Sequence, residues 1–279
     1  MNAWILFALA AAAGVLIVSI WIIQLAAYLL QKYSHEMKTW QIVICTVFVW
    51  IMFCAGGVFL FLNQTVKAEE NASEGLISEE RVVVHQVESG WYFDGWAGGQ
   101  AAVFFGKRGV EESAYAPLLK EIARQGLDCW LVTYPYSIAD FDPELPDAIL
   151  NSQPGTAWFL MAHGDGIFAA DAYYRLHSDE VQGMILLGCS PLSKMQEDDE
   201  LILIQGDHDE LMDNAAYNRS SDFLPDHVRE TVLTGGNHSG FAACGLLKGD
   251  AEAKISPSLQ RQKTSELIRN AFIHFYAGD

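Results

Sequence analysis

Two long apolar runs open the chain, and after them the pattern changes to short apolar segments separated by polar, glycine-bearing breaks. Trp4 to Leu30 carries no charge and has only Ser19 and Gln24 as polar side chains, which exceeds the ~20 residues a helix needs to cross a bilayer. Trp40 to Leu62 is a second uncharged stretch, with Gln41 its only strongly polar residue. The pattern predicts two membrane-spanning helices at about 4–30 and 40–62, making residues 1–63 a membrane anchor. A cleaved signal peptide fits the first run poorly, because it has no basic leading segment and is far longer than the ~7–15 apolar residues such peptides use. Residues 64–80 are polar and acidic without periodicity and read as a tether.

From Arg81 the alternation is that of strands and helices. Arg81–Val87 and Trp91–Phe93 read as an opening strand pair, and Ala101–Phe105 as a buried strand. Ser113–Arg124 repeats Tyr115, Leu118, Leu119 and Ile122 on one helical face, which Gly126 stops. Strands over Asp128–Thr133, Thr156–Ala162, Gln182–Gly188, Leu201–Gln205 and Thr231–Leu233 follow. Helices over Pro143–Leu150, Ile167–Leu176 and Leu259–Tyr276 are interleaved with them. Such alternation predicts an α/β domain over 81–279, a mostly parallel sheet with helices on both faces.

Charge sharpens the division. Of 17 basic and 35 acidic residues, 15 and 34 lie beyond residue 63, a net charge of −19 there. That balance excludes nucleic acid as a partner and repels anionic lipid headgroups, while neutral or cationic ligands are accommodated. Lys32 and Lys38 make the short loop between the two runs the cytoplasmic candidate. The large domain is then expected outside the cytoplasm, in an integral membrane protein. Cys129, Cys189 and Cys244 show neither a disulfide framework nor zinc spacing, so neither metal nor cofactor is expected.

In open parallel sheets ligands bind beyond the carboxyl ends of the strands. Three loops there carry chemistry. Ala162-His163-Gly164-Asp165-Gly166 is a strand-to-helix turn with small residues two before and two after its centre, the steric pattern of a nucleophile elbow. Gly206-Asp207-His208-Asp209 follows a strand, and Gly235-Gly236-Asn237-His238 follows the next. The order and spacing resemble the α/β-hydrolase superfamily, and within it the α/β-hydrolase-fold-5 or dienelactone-hydrolase-related bacterial proteins. Further similar stretches are AVFFGKRGVEESAYAPLL, GLDCWLVTYP, FDPE, WFLMAHGDG, GMILLGCSP, GGNHSGF and GDAEAKISPSLQRQ, which together cover nearly all of 82–278.

The resemblance implies ester or acyl hydrolysis of a small-molecule ligand, with Gly164 at the nucleophile position, Asp209 the acid and His238 the base. It also implies oxyanion-binding amides near Arg108 and Asp165. Two departures stand out. Lys107 and Arg108 replace glycines of the usual loop, and Gly164 offers no hydroxyl to attack an acyl carbon. Centring the elbow on Asp165 would put His163 and Ile167 where small residues are required. The expectation is therefore a weakly active or inactive hydrolase relative, or an inactivated variant of a serine enzyme. The alternative is a pseudoenzyme binding a ligand or protein partner at the membrane. Cys189 as a substitute thiol and a metal held by His163, His208 and His238 are the minor readings; Trp91, Trp96 and Trp158 read as packing aromatics.

Overall fold

The short apolar runs become the inner strands of one sheet because their residues are buried on both sides of it. The computed structural model describes residues 18–24, 28, 32, 39–62, 65–95, 99–134 and 144–277. The chain divides into two units, 1–64 and 65–279. In the second, eight strands lie in the order β1-β2-β4-β3-β5-β6-β7-β8. They are β1 (Val83–Val87), β2 (Gly90–Asp94), β3 (Gln100–Phe105), β4 (Asp128–Val132), β5 (Ala157–His163), β6 (Gly183–Leu187), β7 (Glu200–Gly206) and β8 (His227–Leu233). Pairing is antiparallel for β1 with β2 and β2 with β4, and parallel from β4 through β8.

Period-2 alternation splits the core into two layers. From β3, Ala102 and Phe104 enter the layer containing Leu118, Leu119 and Phe272, which the helices Ala116–Arg124 and Pro257–Ala277 supply. Ala101, Val103 and Phe105 enter the opposite layer with Ile149, Trp158 and Tyr173, covered by Leu145–Ser152 and Ile167–His177. Trp158 is thus a core aromatic, Trp91 packs half-buried against the first layer, and Trp96 lies outside the described residues. Strand β8 begins four residues before the expected Thr231. Of its first four residues only Val228 is apolar, and His227, Arg229 and Glu230 are polar and exposed because this strand closes the sheet edge.

The segment expected as a tether is a correction. From Thr65 it belongs to the folded unit. Val66 N–H donates to Gly109 O (2.7 Å) and Glu111 N–H to Val66 O (2.9 Å), while Glu69 N–H donates to Ala243 O (2.8 Å). A 3-10 helix, Glu70–Leu76, buries Ala72 and Gly75 against the start of helix Ala116–Arg124. Lys120 Nζ donates to Ile77 O (2.5 Å), and Arg124 pairs with Glu79 and Glu121. The acidic side chains that made this strap look solvated in the sequence are in part the partners of those two cations.

In the first unit, Thr39–Leu62 is a single helix of 24 residues. Among the described residues no helix is long and apolar enough to cross a membrane. Of the first expected span only 18–24 and 28 are described, and within Thr39–Leu62 the side chains of 39, 41–43, 45–46, 58 and 60–62 lie outside the description.

Gly75 tests the strap. A Cβ there would lie 2.5 Å from Pro117 N, a backbone atom that cannot move aside cheaply. Gly75→Ala is expected to undock the strap at a cost of about 1–3 kcal/mol. Tryptic cleavage after Lys67 and Arg81 should accelerate and the melting temperature fall; an unchanged digestion pattern and melting temperature would contradict the docking.

Candidate active site

Strand β5 ends at His163, and the chain turns at once into a 3-10 turn, Gly164–Gly166, that leads into helix Ile167–His177. Gly164 has φ +55°, a conformation that costs a side-chain-bearing residue ~1–3 kcal/mol and glycine little. Gly166 has a steric role, since a Cβ there would lie 2.7 Å from Gly106 O at the end of β3. The small-residue spacing read from the sequence thus corresponds to a tight backbone crossing.

The loops after β7 and β8 bring Asp209 and His238 to this turn. His238 Nδ1–H donates to Asp209 Oδ2 (2.8 Å), and each side chain is 1% exposed. The other carboxylate oxygen accepts from the backbone N–H groups of Leu211 (2.9 Å) and Met212 (2.8 Å). With the Nδ1 proton facing a carboxylate, Nε2 of the neutral ring is an acceptor. Nε2 is buried and has no hydrogen-bond partner among the described residues. A Cβ built on Gly164 would lie 2.8 Å from Nε2, so the imidazole closes onto the side-chain-less face of the turn. Gly188, at φ +58°, makes room behind it, because a Cβ there would lie 2.8 Å from both Asp209 Oδ2 and His238 Nδ1.

Residues that the sequence reading did not single out hold the histidine loop. Asn237 N–H donates to Gln260 Oε1 (3.0 Å) and Gln260 Nε2 to Asn237 O (2.7 Å), while Asp250 Oδ2 accepts from the Ser239 amide (2.7 Å) and hydroxyl (2.6 Å). His163 completes the clamp. Lys107 N–H donates to Tyr115 Oη (3.0 Å), which leaves the phenol proton for His163 Nδ1 (2.9 Å) and the Nε2 proton of His163 for His238 O (3.1 Å). Burial, then the neighbouring His238 and Lys107, push the His163 pKa well below its usual value and keep the ring neutral. Only a glutamine 22 residues beyond His238 and a tyrosine 48 before His163 could have signalled these contacts, and neither spacing is a motif.

The loop after β3 departs from the expected oxyanion site. Arg108 N–H donates to Asp165 Oδ1 (2.8 Å), and Lys107 Nζ lies 3.5 Å from the same oxygen. The expected anion-binding amide near Arg108 is therefore already occupied by the Asp165 side chain. Three histidines do not converge: His208 bonds Asp207 (2.6 Å) in a partly exposed pair, and no group of three or more His, Cys, Asp or Glu able to hold a metal occurs among the described residues. Cys189 lines the site, but burial pushes its thiol pKa far up, so it presents no thiolate at neutral pH.

The sequence profile described as the alpha/beta hydrolase family matches residues 101–262, more than half of the chain and inclusive of all three loops. The chain belongs to the alpha/beta hydrolase family. None of the curated proteins matches it. Among solved structures, an alpha/beta hydrolase enzyme from a sediment metagenome of the Mar Chica lagoon, Morocco, is similar at a TM-score of 0.51 and 11% identity, over 69% of this chain and 98% of that one. A dienelactone hydrolase from Anabaena variabilis is similar at 0.49 and 15%, over 70% and 99% respectively. At these identities the likeness concerns the hydrolase fold.

In this hydrolase-fold domain a cavity of about 170 Å³ opens beside His238. Ile167, Phe168, Leu192, Leu211 and Met212 give it apolar walls, and Gly164, Asp165 and Lys107 lie at its polar end. Gly188→Ala would drive a methyl group into the buried pair. Its downfield Nδ1 proton resonance is expected to disappear while far-UV circular dichroism is retained; a resonance that persists would contradict the packing described.

Proposed function

We propose that this chain is a membrane-anchored member of the hydrolase family that binds a small ligand at the His238–Asp209 pair without forming a covalent intermediate. The observation that carries the reading is the unpartnered Nε2 of His238, directed at Gly164, where no side chain can serve as nucleophile. The Asp165 carboxylate on the Arg108 amide supports it further, because an acyl oxyanion would compete with a fixed negative charge for that donor.

Magnitudes separate binding from catalysis. Loss of a triad serine costs on the order of 10⁶ in turnover, and the residual ~10³–10⁴ over water relies on oxyanion donors and substrate binding. Here at least one donor is taken, which lowers even that residue. Slow hydrolysis by water attack is the second reading, favoured by His238 lining the cavity with Nδ1 held by Asp209 and Nε2 without a hydrogen-bond partner among the described residues, as a general base requires.

A fluorophosphonate probe is expected to leave the protein unlabelled. Gly164→Ser alone should label poorly, since its Cβ crowds Nε2 and Asp165 still fills the Arg108 amide; Gly164→Ser with Asp165→Ala should label readily. Labelling of the unaltered chain, or none of the double variant, would overturn this account of the site. Turnover of a short acyl ester that is abolished by His238→Ala would establish the second reading over the first.

Anchoring is supported by the uncharged runs Trp4–Leu30 and Trp40–Leu62, and by exposure of Trp40, Phe48, Ile51, Met52 and Phe59 along the helix Thr39–Leu62. Lys32 and Lys38 favour a cytoplasmic loop and an extracytoplasmic domain. The full chain is expected to stay in the membrane pellet after alkaline carbonate washing and to require detergent for release; recovery in the wash would count against anchoring. Protease added outside intact cells should reach the domain if the orientation is right.

A further inference from the structure

The cavity beside His238 has an uneven supply of hydrogen-bonding groups. Its buried acceptor is Nε2 of His238, on a side chain 1% exposed and without a partner among the described residues. At the rim Asp165 Oδ1 takes the Arg108 amide at 2.8 Å and lies 3.5 Å from the Lys107 ammonium, whose charge it balances. Asp213, a second carboxylate on the lining, accepts from Ala216 N–H at 2.9 Å, at the start of the helix Asn214–Arg219. A carboxylate or phosphate brought here would meet a lone pair and two carboxylates against the single Lys107 ammonium, a net negative lining, whereas a hydroxyl or ammonium would meet acceptors. Most of the remaining wall is apolar, formed by Ile167, Phe168, Leu192 and Leu211, with Ser190 adding a hydroxyl.

We infer that this cavity takes a small apolar molecule whose head donates a hydrogen bond and carries no negative charge, an alcohol or a primary amine, and that Asp165 sets this preference. The inference rests on the noncovalent reading above and names its ligand class. The head donates to His238 Nε2, and the hydrocarbon body displaces water from the apolar wall. Asp165 acts by consuming donors that an anionic head would otherwise use. An internal carboxylate thus does at this site what a bound anion would do, and excludes the anion by occupying its donor and by charge.

The test follows the ¹⁵N resonance of His238 Nε2 in the purified full chain during titration with 1-pentanol, pentylamine and pentanoate. The alcohol and the amine are expected to shift it saturably, with pentanoate about tenfold weaker or more. Asp165→Ala frees the Arg108 amide and the Lys107 ammonium, and should improve pentanoate relative to pentylamine by about tenfold. Asp165→Asn, which keeps the shape of the side chain, should move the ratio in the same direction even if the alanine variant unfolds. Pentanoate binding as tightly as pentylamine to the unaltered chain would overturn the inferred ligand class and leave noncovalent binding standing. No shift with any of the three would overturn both. A ratio unmoved in the asparagine variant would remove Asp165 from the role.

Discussion

One buried hydrogen bond, from His238 Nδ1 to Asp209, organises the end of the sheet where the site lies. Two ionisable side chains are almost fully out of water there, and neither would be tolerated alone: an unpaired buried carboxylate costs several kcal/mol. The surrounding structure supplies what the pair needs. Two backbone amides take the second oxygen of Asp209, Gly188 withholds a side chain from the space the ring and carboxylate share, and Gln260 and Asp250 fix the loop that carries the ring. Only Nε2 is left without a hydrogen-bond partner among the described residues, and His238 is one of the residues that line the cavity.

That arrangement separates orientation from reactivity. An imidazole held by a carboxylate is half of a nucleophilic apparatus; the other half is an oxygen or sulphur atom at the turn, and Gly164 provides neither. Glycine also relaxes the backbone, since a left-handed residue after β5 is unstrained only as glycine. Asp165 changes the opposite wall in the same sense by settling a negative charge on the amide that faces the site. In the noncovalent reading proposed above both features limit what the site does to an acyl group, and neither disturbs the pair behind it.

The fold was legible because buried parallel strands leave a strong pattern. Val103 to Phe105 and Met184 to Leu187 have no polar residue to hide, and the glycines after the strands mark where the chain reverses. Proximity of Gly164, Asp209 and His238 was legible through their order and through the small residues around the turn. The direction in which Asp165 points was not, since it depends on the Arg108 amide 57 residues earlier in the chain. The start of β8 was hidden by its polar, edge-exposed residues, and the docking of the strap by a composition that reads as solvated. Ala72 and Gly75 contribute so little apolar surface that no periodicity records their burial.

The strap has a mechanical meaning. Val66 is bonded through both its amide and its carbonyl to Gly109 and Glu111, and Arg108 lies directly before that contact. A force on the chain at Thr65 therefore does not dissipate in slack linker. It meets first the short bridge at Val66, whose partners Gly109 and Glu111 follow directly on the peptide whose N–H holds Asp165.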